Sequence, residues 1–394
     1  PTEIPDSLNH ILEEVRRIVE GIGQGERREP FHIPVPQDIL EIDVVFKEAH
    51  YDLYLVGGCV RDAVMGKKPK DFDLVTNALP EQVEQLLNAH GYKTLPVGKA
   101  FGIINVVTDS DTYEIATMRA DIGSSDGRRP DSVEFTDMRT DALRRDLSMN
   151  SLYYDLNTHE IIDFVGGLED IKNNIVRTVG NPADRFQEDR LRILRVIRFS
   201  SRTGHEVSPE IDATLRADSS MKGISAERIR DEFLKGVNSA KSVVHFLQML
   251  DRYRMFDSVF PGAAINRKFI EERDHAVLLA WLLHESGPKV ASIMQAGKYT
   301  SDEIKAVKFL VSLKNLSVET AFVLKKSEAT SGVSPEQIAR FCGYLGMDPK
   351  LVRAFGAFHL SVTGAQLAGV AKPGPEMGAM IRDMETKKFS ELLR

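Results

Sequence analysis

Two cysteines among 394 residues, Cys59 and Cys342, are too few for a disulfide framework and too far apart for a cysteine-based zinc site. No window approaches the run of about 18 apolar residues that a membrane-spanning helix needs. The first residues, PTEIPDSLNH, contain no basic stretch followed by an apolar one, so no secretory signal is visible and the cytoplasm is the expected compartment. No repeat of 20–50 residues is evident, which excludes a solenoid. Positive charge is also short overall: 51 Lys and Arg against 58 Asp and Glu leave a net charge of −7. That figure argues against nucleic acid as a partner only if the basic residues are spread evenly, because phosphate contacts depend on the local field. They are not spread evenly. Between Arg119 and Arg202 lie Arg128, Arg129, Arg139, Arg144, Arg145, Arg177, Arg185, Arg190, Arg192, Arg195 and Arg198. A solvated face is the plain reading of such a cluster and a phosphate-binding surface the functional one.

The composition that is present, 42% hydrophobic and 28% charged, is that of a globular protein with a large core. Residues 1–36 form a polar leader, with a short amphipathic helix over Ile11–Ile22 and a loop around GQGERREP. Apolar spacing predicts helices over Asp38–His50, Val60–Met65 and Pro80–His90, and strands over Leu53–Val56, Phe72–Val75, Ile103–Thr108, Tyr113–Met118 and Val133–Thr136. A basic turn, Gly66-Lys-Lys-Pro-Lys70, separates the second helix from the second strand, and ADIGSSDGRRP (residues 120–130) reads as a mobile loop. Beyond Asn181 the pattern is helical, broken near Gly223, Pro261, Gly287, Gly332 and Gly374. The expected class is α+β: a mixed head domain (37–180) followed by an all-α neck (181–240), then a body and tail (241–394).

The chemistry concentrates in a short unit. Leu55-Val-Gly-Gly-Cys-Val-Arg-Asp62 is followed nine residues later by Asp71-Phe-Asp73. Alternation on a strand would point Asp71 and Asp73 to one face. Two converging carboxylates need neutralising, and hard divalent cations with oxygen ligands do so. Two Mg2+ ions held there would activate an attacking 3′-hydroxyl and stabilise a leaving pyrophosphate. Gly57 and Gly58 allow backbone N–H groups to approach a triphosphate, with Arg61 in reach of a phosphate oxygen. A Gly-Gly pair alone also serves as a tight strand-to-helix connection, and a lone Asp-x-Asp is most often a surface turn; only their combination points to chemistry. Cys59, inside the turn, is expected to pack.

Further on, Asp146 and Asn150 are spaced by one helical turn, which would put them on one face. Glu188, Arg192 and Arg195 would form one helical stripe, with Asp189 and Arg192 as i, i+3 neighbours over a buried stripe of Leu191, Leu194 and Ile197. An Asp that accepts from an exocyclic amine, beside an Arg that donates to a ring nitrogen, selects cytosine and adenine over uracil and guanine. The plain alternative is a surface salt bridge worth a few tenths of a kcal/mol.

LVGGCVRD with DFD resembles the head domain of the class II tRNA nucleotidyltransferase and bacterial poly(A) polymerase superfamily. The likeness continues through Tyr113–Arg119, Asp126–Asp131, Arg144-Arg-Asp-Leu-Ser-Met-Asn150 and Glu188-Asp-Arg-Leu-Arg-Ile-Leu-Arg195. It implies a polymerase-β-like palm in which Asp71 and Asp73 bind two Mg2+ ions, with CTP and ATP as substrates and the tRNA acceptor stem and 3′ end as partner. Glu114 is then either a third catalytic carboxylate or a solvent-facing residue of an alternating strand. The resemblance places Arg145 on a phosphate or sugar, Asp146 and Asn150 near the ribose, and Asp189 and Arg192 as the protein template for the base. Gly57, Gly58, Arg61, Arg144, Arg195 and Arg198 complete the expected nucleotide site, and loop 120–130 is expected to rearrange between C and A.

Relatives with a fused phosphohydrolase have His-Asp where this chain has His284-Glu285, so no such activity is expected and His284 is read as helix packing. Six lysines, Lys298, Lys305, Lys308, Lys314, Lys325 and Lys326, could track an RNA backbone. Three alternatives remain open. Poly(A) synthesis is disfavoured by Gly98-Lys-Ala-Phe-Gly102, which lacks a GRRF-like element. Partial addition of CC or of A is compatible with the motifs. A catalytically inactive RNA-binding relative is disfavoured by retention of the acidic pair. No membrane or protein partner is expected.

Overall fold

The computed structural model describes residues 25–122 and 132–394. The leader helix over Ile11–Ile22 and the Asp126–Asp131 motif lie outside the described residues. The chain divides into two compact units, the first ending at Asp218 and the second beginning at Ser219, so the expected 181–240 neck is split between them.

The first unit is built on an eight-stranded sheet. In chain order its strands are β1 (Arg27–Pro30), β2 (Leu53–Val56), β3 (Asp73–Thr76), β4 (Lys93–Leu95), β5 (Ile103–Val107), β6 (Thr112–Thr117), β9 (Leu152–Asp155) and β10 (Glu160–Asp163). They lie in the order β1-β10-β9-β2-β3-β6-β5-β4. The pairing of β3 with β6 is parallel, with Asp73 opposite Glu114. A separate ribbon pairs β7 (Arg119–Ile122) with β8 (Ser132–Phe135), and a second, parallel one pairs β11 (Ile175–Val176) with β12 (Glu206–Val207).

Helices α1 (Gln37–Glu48), α2 (Gly58–Val64), α3 (Pro80–Ala89), α4 (Met138–Leu143), α5 (Gly167–Lys172), α6 (Pro182–Glu188), α7 (Leu191–Thr203) and α8 (Pro209–Ala217) complete the unit. One core cluster packs Val56, Val75, Met118, Tyr153, Ile162 and Phe164, with Tyr153 meeting Phe164 edge-on at 6.2 Å. Each such side chain contributes roughly 1.5–3 kcal/mol by leaving water.

Two features correct the sequence reading. Arg27–Pro30, assigned to the leader, is an edge strand that pairs with β10. The β9–β10 hairpin was not anticipated, because all four residues of β9 are buried and no alternation marks them. The hairpin feeds a tight join to the site. Asp163 accepts the N–H groups of Val165, Gly166, Gly167 and Leu168 at the start of α5. A Cβ at Gly167 would stand 2.2 Å from the Ser148 carbonyl oxygen, so only glycine lets α5 press against that turn.

The second unit is helical; of the expected breaks, Pro261, Gly332 and Gly374 fall between its helices, Gly223 precedes the first of them, and Gly287 is a kink inside a 3-10 segment. Ser225, Ser242, Asp274, Thr300 and Ser334 each cap a helix through a side-chain oxygen. Phe233 packs on Phe246 and Phe260 at 5.9 and 5.2 Å. His284 is buried against Trp281 and Phe341, its Nδ1 2.8 Å from the Trp281 carbonyl, and burial lowers its pKa. Lys325 does not track a surface: its ammonium pairs with Glu328 at 2.7 Å and donates to the Phe355 carbonyl. Among the described residues no helix is long and apolar enough to cross a membrane.

Candidate active site

The strand-turn-helix unit forms as expected. Gly57 leaves β2 with φ +77° and ψ −125°, a conformation open to glycine alone at little cost, and its N–H bonds the Leu152 carbonyl at 3.0 Å. Helix α2 starts at Gly58 and carries Arg61 inward. Arg61 is 3% exposed. It donates from Nη1 to Asn150 Oδ1 at 2.6 Å and from Nε and Nη2 to Asp62, with its guanidinium 5.3 Å over the Phe199 ring. It therefore braces the site, although it borders the cavity. Cys59 is buried, its thiol pushed up to about 11 by burial, and it packs.

A cavity of about 710 Å³ opens beside this unit. Its cationic lining is Arg61, Lys67, Lys68, Lys70, Arg144, Arg145, Arg192, Arg195 and Arg202, set against Asp62, Asp71, Asp73, Asp121, Asp146 and Asp189. Nine cations against six carboxylates leave an excess that suits a polyphosphate. Asp73 is the first residue of β3, whereas Asp71 precedes the strand in a bend, so strand alternation does not place it. Both nevertheless border the cavity.

Three of the six carboxylates on the cavity lining are matched to arginines. Asp62 pairs with Arg61 and Arg202, Asp121 with Arg119 and Arg144, and Asp146 with Arg195 at 2.5 Å. Asp71 and Asp73 have no salt bridge among the described residues. Partial dehydration of the Asp73 carboxyl raises its pKa and the charge of Asp71 adds to this, against the opposing pull of Arg145. Glu114, opposite Asp73, is raised first by dehydration and then by Asp73. A recess of about 220 Å³ joins Asp71, Asp73 and Glu114 with Asp111.

Among the described residues no three His, Cys, Asp or Glu side chains are grouped to hold a metal ion, so Asp71 and Asp73 stand as a pair. An unmatched pair of carboxylates beside a phosphate-sized cationic cavity fits Mg2+, which is ordinarily held by one or two carboxylates plus substrate phosphates.

Arg144 and Arg145 are held by a residue the motif reading missed. Asp141, fully buried, accepts from Arg144 Nη2 and Arg145 Nη2 at 2.9 Å, from the Tyr153 hydroxyl at 2.6 Å and from the Arg119 amide at 3.1 Å. Burial alone would raise its pKa, but Arg145 and Arg144 outweigh it and hold the carboxyl below its ordinary value. The expected helical turn from Asp146 to Asn150 is absent: Ser148–Asn150 is a short 3-10 turn and Asp146 lies before it. The two still meet, because the Asn150 amide bonds Asp146 while Asn150 Oδ1 accepts from Arg61. Burial opposes ionisation of Asp146, and Arg195 with these hydrogen bonds overrides it to lower the pKa.

The segment expected to select the base also departs from one continuous helix. Helix α6 ends at Glu188 and α7 begins at Leu191, with Asp189 extended between them. Asp189 Oδ1 accepts the Leu191 N–H at 3.0 Å, and Arg192 pairs with Glu188 and not with Asp189. Both Asp189 and Arg192 line the cavity. Arg198 is not among its lining residues; it lies 4.5 Å over the Phe199 ring. Phe199 and Asp121 had no readable signal, Arg202 was visible only as the end of the arginine cluster, and Lys67, Lys68 and Lys70 only as the basic turn without a role.

These parts make a cavity with a cationic excess, an unmatched carboxylate pair and the Asp189–Arg192 segment on its lining. The family model described as "Poly A polymerase head domain" matches residues 53–177, and that described as "Probable RNA and SrmB-binding site of polymerase A" matches 206–265. Poly(A) polymerase I of Salmonella typhi is 32% identical over 275 residues, 66% of this chain and 58% of that protein. The CCA-adding enzyme of Bacillus pumilus is 42% identical over 209 residues, 52% of this chain and 50% of that enzyme. The crystal structure of the Bacillus stearothermophilus CCA-adding enzyme in complex with CTP aligns with a TM-score of 0.68 at 26% identity, covering 91% of this chain and 96% of that one. The chain thus spans only about half the length of the curated relatives it matches. It belongs to the tRNA nucleotidyltransferase/poly(A) polymerase family.

Proposed function

We propose that the chain adds C, C and A to the 3′ end of tRNA without a nucleic-acid template, using CTP and ATP. The observation that carries this reading is that Asp71 and Asp73 border the same cavity as Asp189 and Arg192, so transfer and base choice share one site. Its extension to CCA draws on the alignment with the CTP-bound Bacillus stearothermophilus enzyme over nearly both full chains.

In the reaction the RNA 3′-oxygen bonds the α-phosphorus, the bond from that phosphorus to the pyrophosphate oxygen breaks, and the hydroxyl proton is released. Mg2+ at Asp71 and Asp73 would supply charge neutralisation on the triphosphate and acidify the hydroxyl. Arg144 and Arg145, held by Asp141, face the triphosphate as fixed cations. Asp189 accepts from the exocyclic amine of C or A, a carboxylate having about four acceptor positions. Arg192 donates to the ring nitrogen, since Glu188 and the Arg185 carbonyl engage only its Nη1.

Poly(A) synthesis is the second reading, favoured by the match to the Salmonella typhi enzyme. The chain is to be incubated with tRNA ending before CCA, each nucleotide and Mg2+, and the 3′ ends sequenced. Ends completed as CCA are expected; homopolymeric A tails would overturn the first reading in favour of the second.

A further inference from the structure

Beside the catalytic cavity lies a second groove, of about 650 Å³, that no motif predicted. One wall is the arm Phe31–Pro36, which follows β1; the other is the basic turn after α2 together with Phe72. The arm is fixed in place. The Phe31 N–H bonds the His159 carbonyl at 3.0 Å, the Ile33 N–H meets the Tyr154 hydroxyl at 3.4 Å, and Ile33 is buried. Pro34 and Pro36 restrict φ and donate no N–H, so the arm presents rings without needing further backbone partners.

Two residues join the groove to the reacting centre. Lys67 and Lys68 border both cavities, and Phe72 stands in sequence between the two catalytic aspartates. Lys68 and Lys70 have no ion pair among the described residues. The rings of Phe31, His32 and Phe72 under a cationic rim are the combination by which single-stranded nucleic acid is held without regard to sequence: bases stack and phosphates meet lysine. The triphosphate accounts for the arginine side of the catalytic cavity, so the strand that carries the attacking hydroxyl has to leave by another path. The groove starts where the carboxylates end.

We propose that this groove binds the unpaired RNA nucleotides immediately upstream of the reacting 3′ end, stacking bases on Phe31, His32 and Phe72 and laying phosphates along Lys67 and Lys68. The proposal rests on the nucleotidyl-transfer reading but not on the choice between CCA and poly(A).

The test uses the full chain and a short single-stranded oligoribonucleotide. Binding is measured by fluorescence anisotropy, and KM for RNA and for nucleotide are measured separately. Phe31→Ala with His32→Ala should raise the RNA Kd and KM by about 5- to 150-fold, the loss of one stacked base. The nucleotide KM should hold, and Phe31→Trp should restore RNA binding. His32→Ala alone, at an exposed position, should show part of the effect without any change in melting temperature. A 4-thiouridine at the penultimate position should crosslink within residues 31–36. RNA affinity unchanged in the folded double variant, or a crosslink confined to the arginine side of the catalytic cavity, would overturn the groove assignment. If the unaltered chain extends no RNA, the nucleotidyl-transfer reading fails, while the binding and crosslinking results still decide the groove.

Discussion

On the arginine wall of the catalytic cavity, Asp62, Asp121, Asp141 and Asp146 are each matched to a guanidinium, and the deepest of them, Asp141, holds two. On the unmatched wall Asp71 and Asp73 border the same space with no such partner among the described residues; burial and then the charge of Asp71 raise the pKa of Asp73 against the pull of Arg145, and burial and then Asp73 raise that of Glu114. Both walls descend from one sheet and its flanking turns, so the difference is one of charge arrangement and not of architecture. Matched carboxylates serve the fold; unmatched ones store repulsion that a bound cation relieves.

The comparison breaks most sharply at the unmatched wall. Asp71→Ala with Asp73→Ala should lower nucleotide incorporation by at least about 10³-fold in a primer-extension assay. The melting temperature should stay level or rise, because no native ion pair is lost; a clear drop would mean these carboxylates are structural. Asp141→Ala should do the reverse. Removing the buried partner of two arginines costs about 3–5 kcal/mol, or roughly 10 °C in a unit of this size, read by thermal melting. In Asp141→Asn, which retains the shape, a raised nucleotide KM at nearly normal kcat would identify Asp141 as a positioning residue.

A smaller effect is expected at the reading wall. Arg192→Ala should relax discrimination of C and A from U and G by about 1–3 kcal/mol, measured as the ratio of kcat/KM values, and cost under about 1 kcal/mol of stability because its pair with Glu188 is partly exposed. Unchanged preference would refute its role as template. The mildest test is acid. Asp141 and Asp146 have folded pKa values below the ordinary 3.8. Their stabilisation is therefore complete above the unfolded value and lost only as pH falls through the depressed ones. Circular dichroism should show the first unit resisting acid down to about pH 4; unfolding that Asp141→Asn leaves at the same pH would count against this origin.

Local signals were legible where one short segment both forms the element and carries the chemistry. The Gly57 turn, α2 and β3 are of that kind, since a positive φ and an apolar run are properties of neighbouring residues. Asp141 was not legible, because its significance lies in Tyr153, Arg119 and two arginines brought together by the sheet. The break at Asp189 escaped detection because Glu188, Arg192 and Arg195 keep helical spacing across it. The edge strand β1 was hidden by its polar sequence, RREP, which carries no apolar alternation. Uniform burial concealed β9 in the opposite way.

Helix α7 is tied down along its length: Arg195 to Asp146, Phe199 beneath Arg61, Arg202 to Asp62, and then β12 zipped beside β11. On the proposed function, the residues that read the base and those that hold the phosphates would thereby be measured from one datum. A workshop jig has the same property, in that whatever shakes the bench shifts tool and workpiece together. On that reading, the accuracy of nucleotide choice would then rest on donors and acceptors held in one frame by this helix.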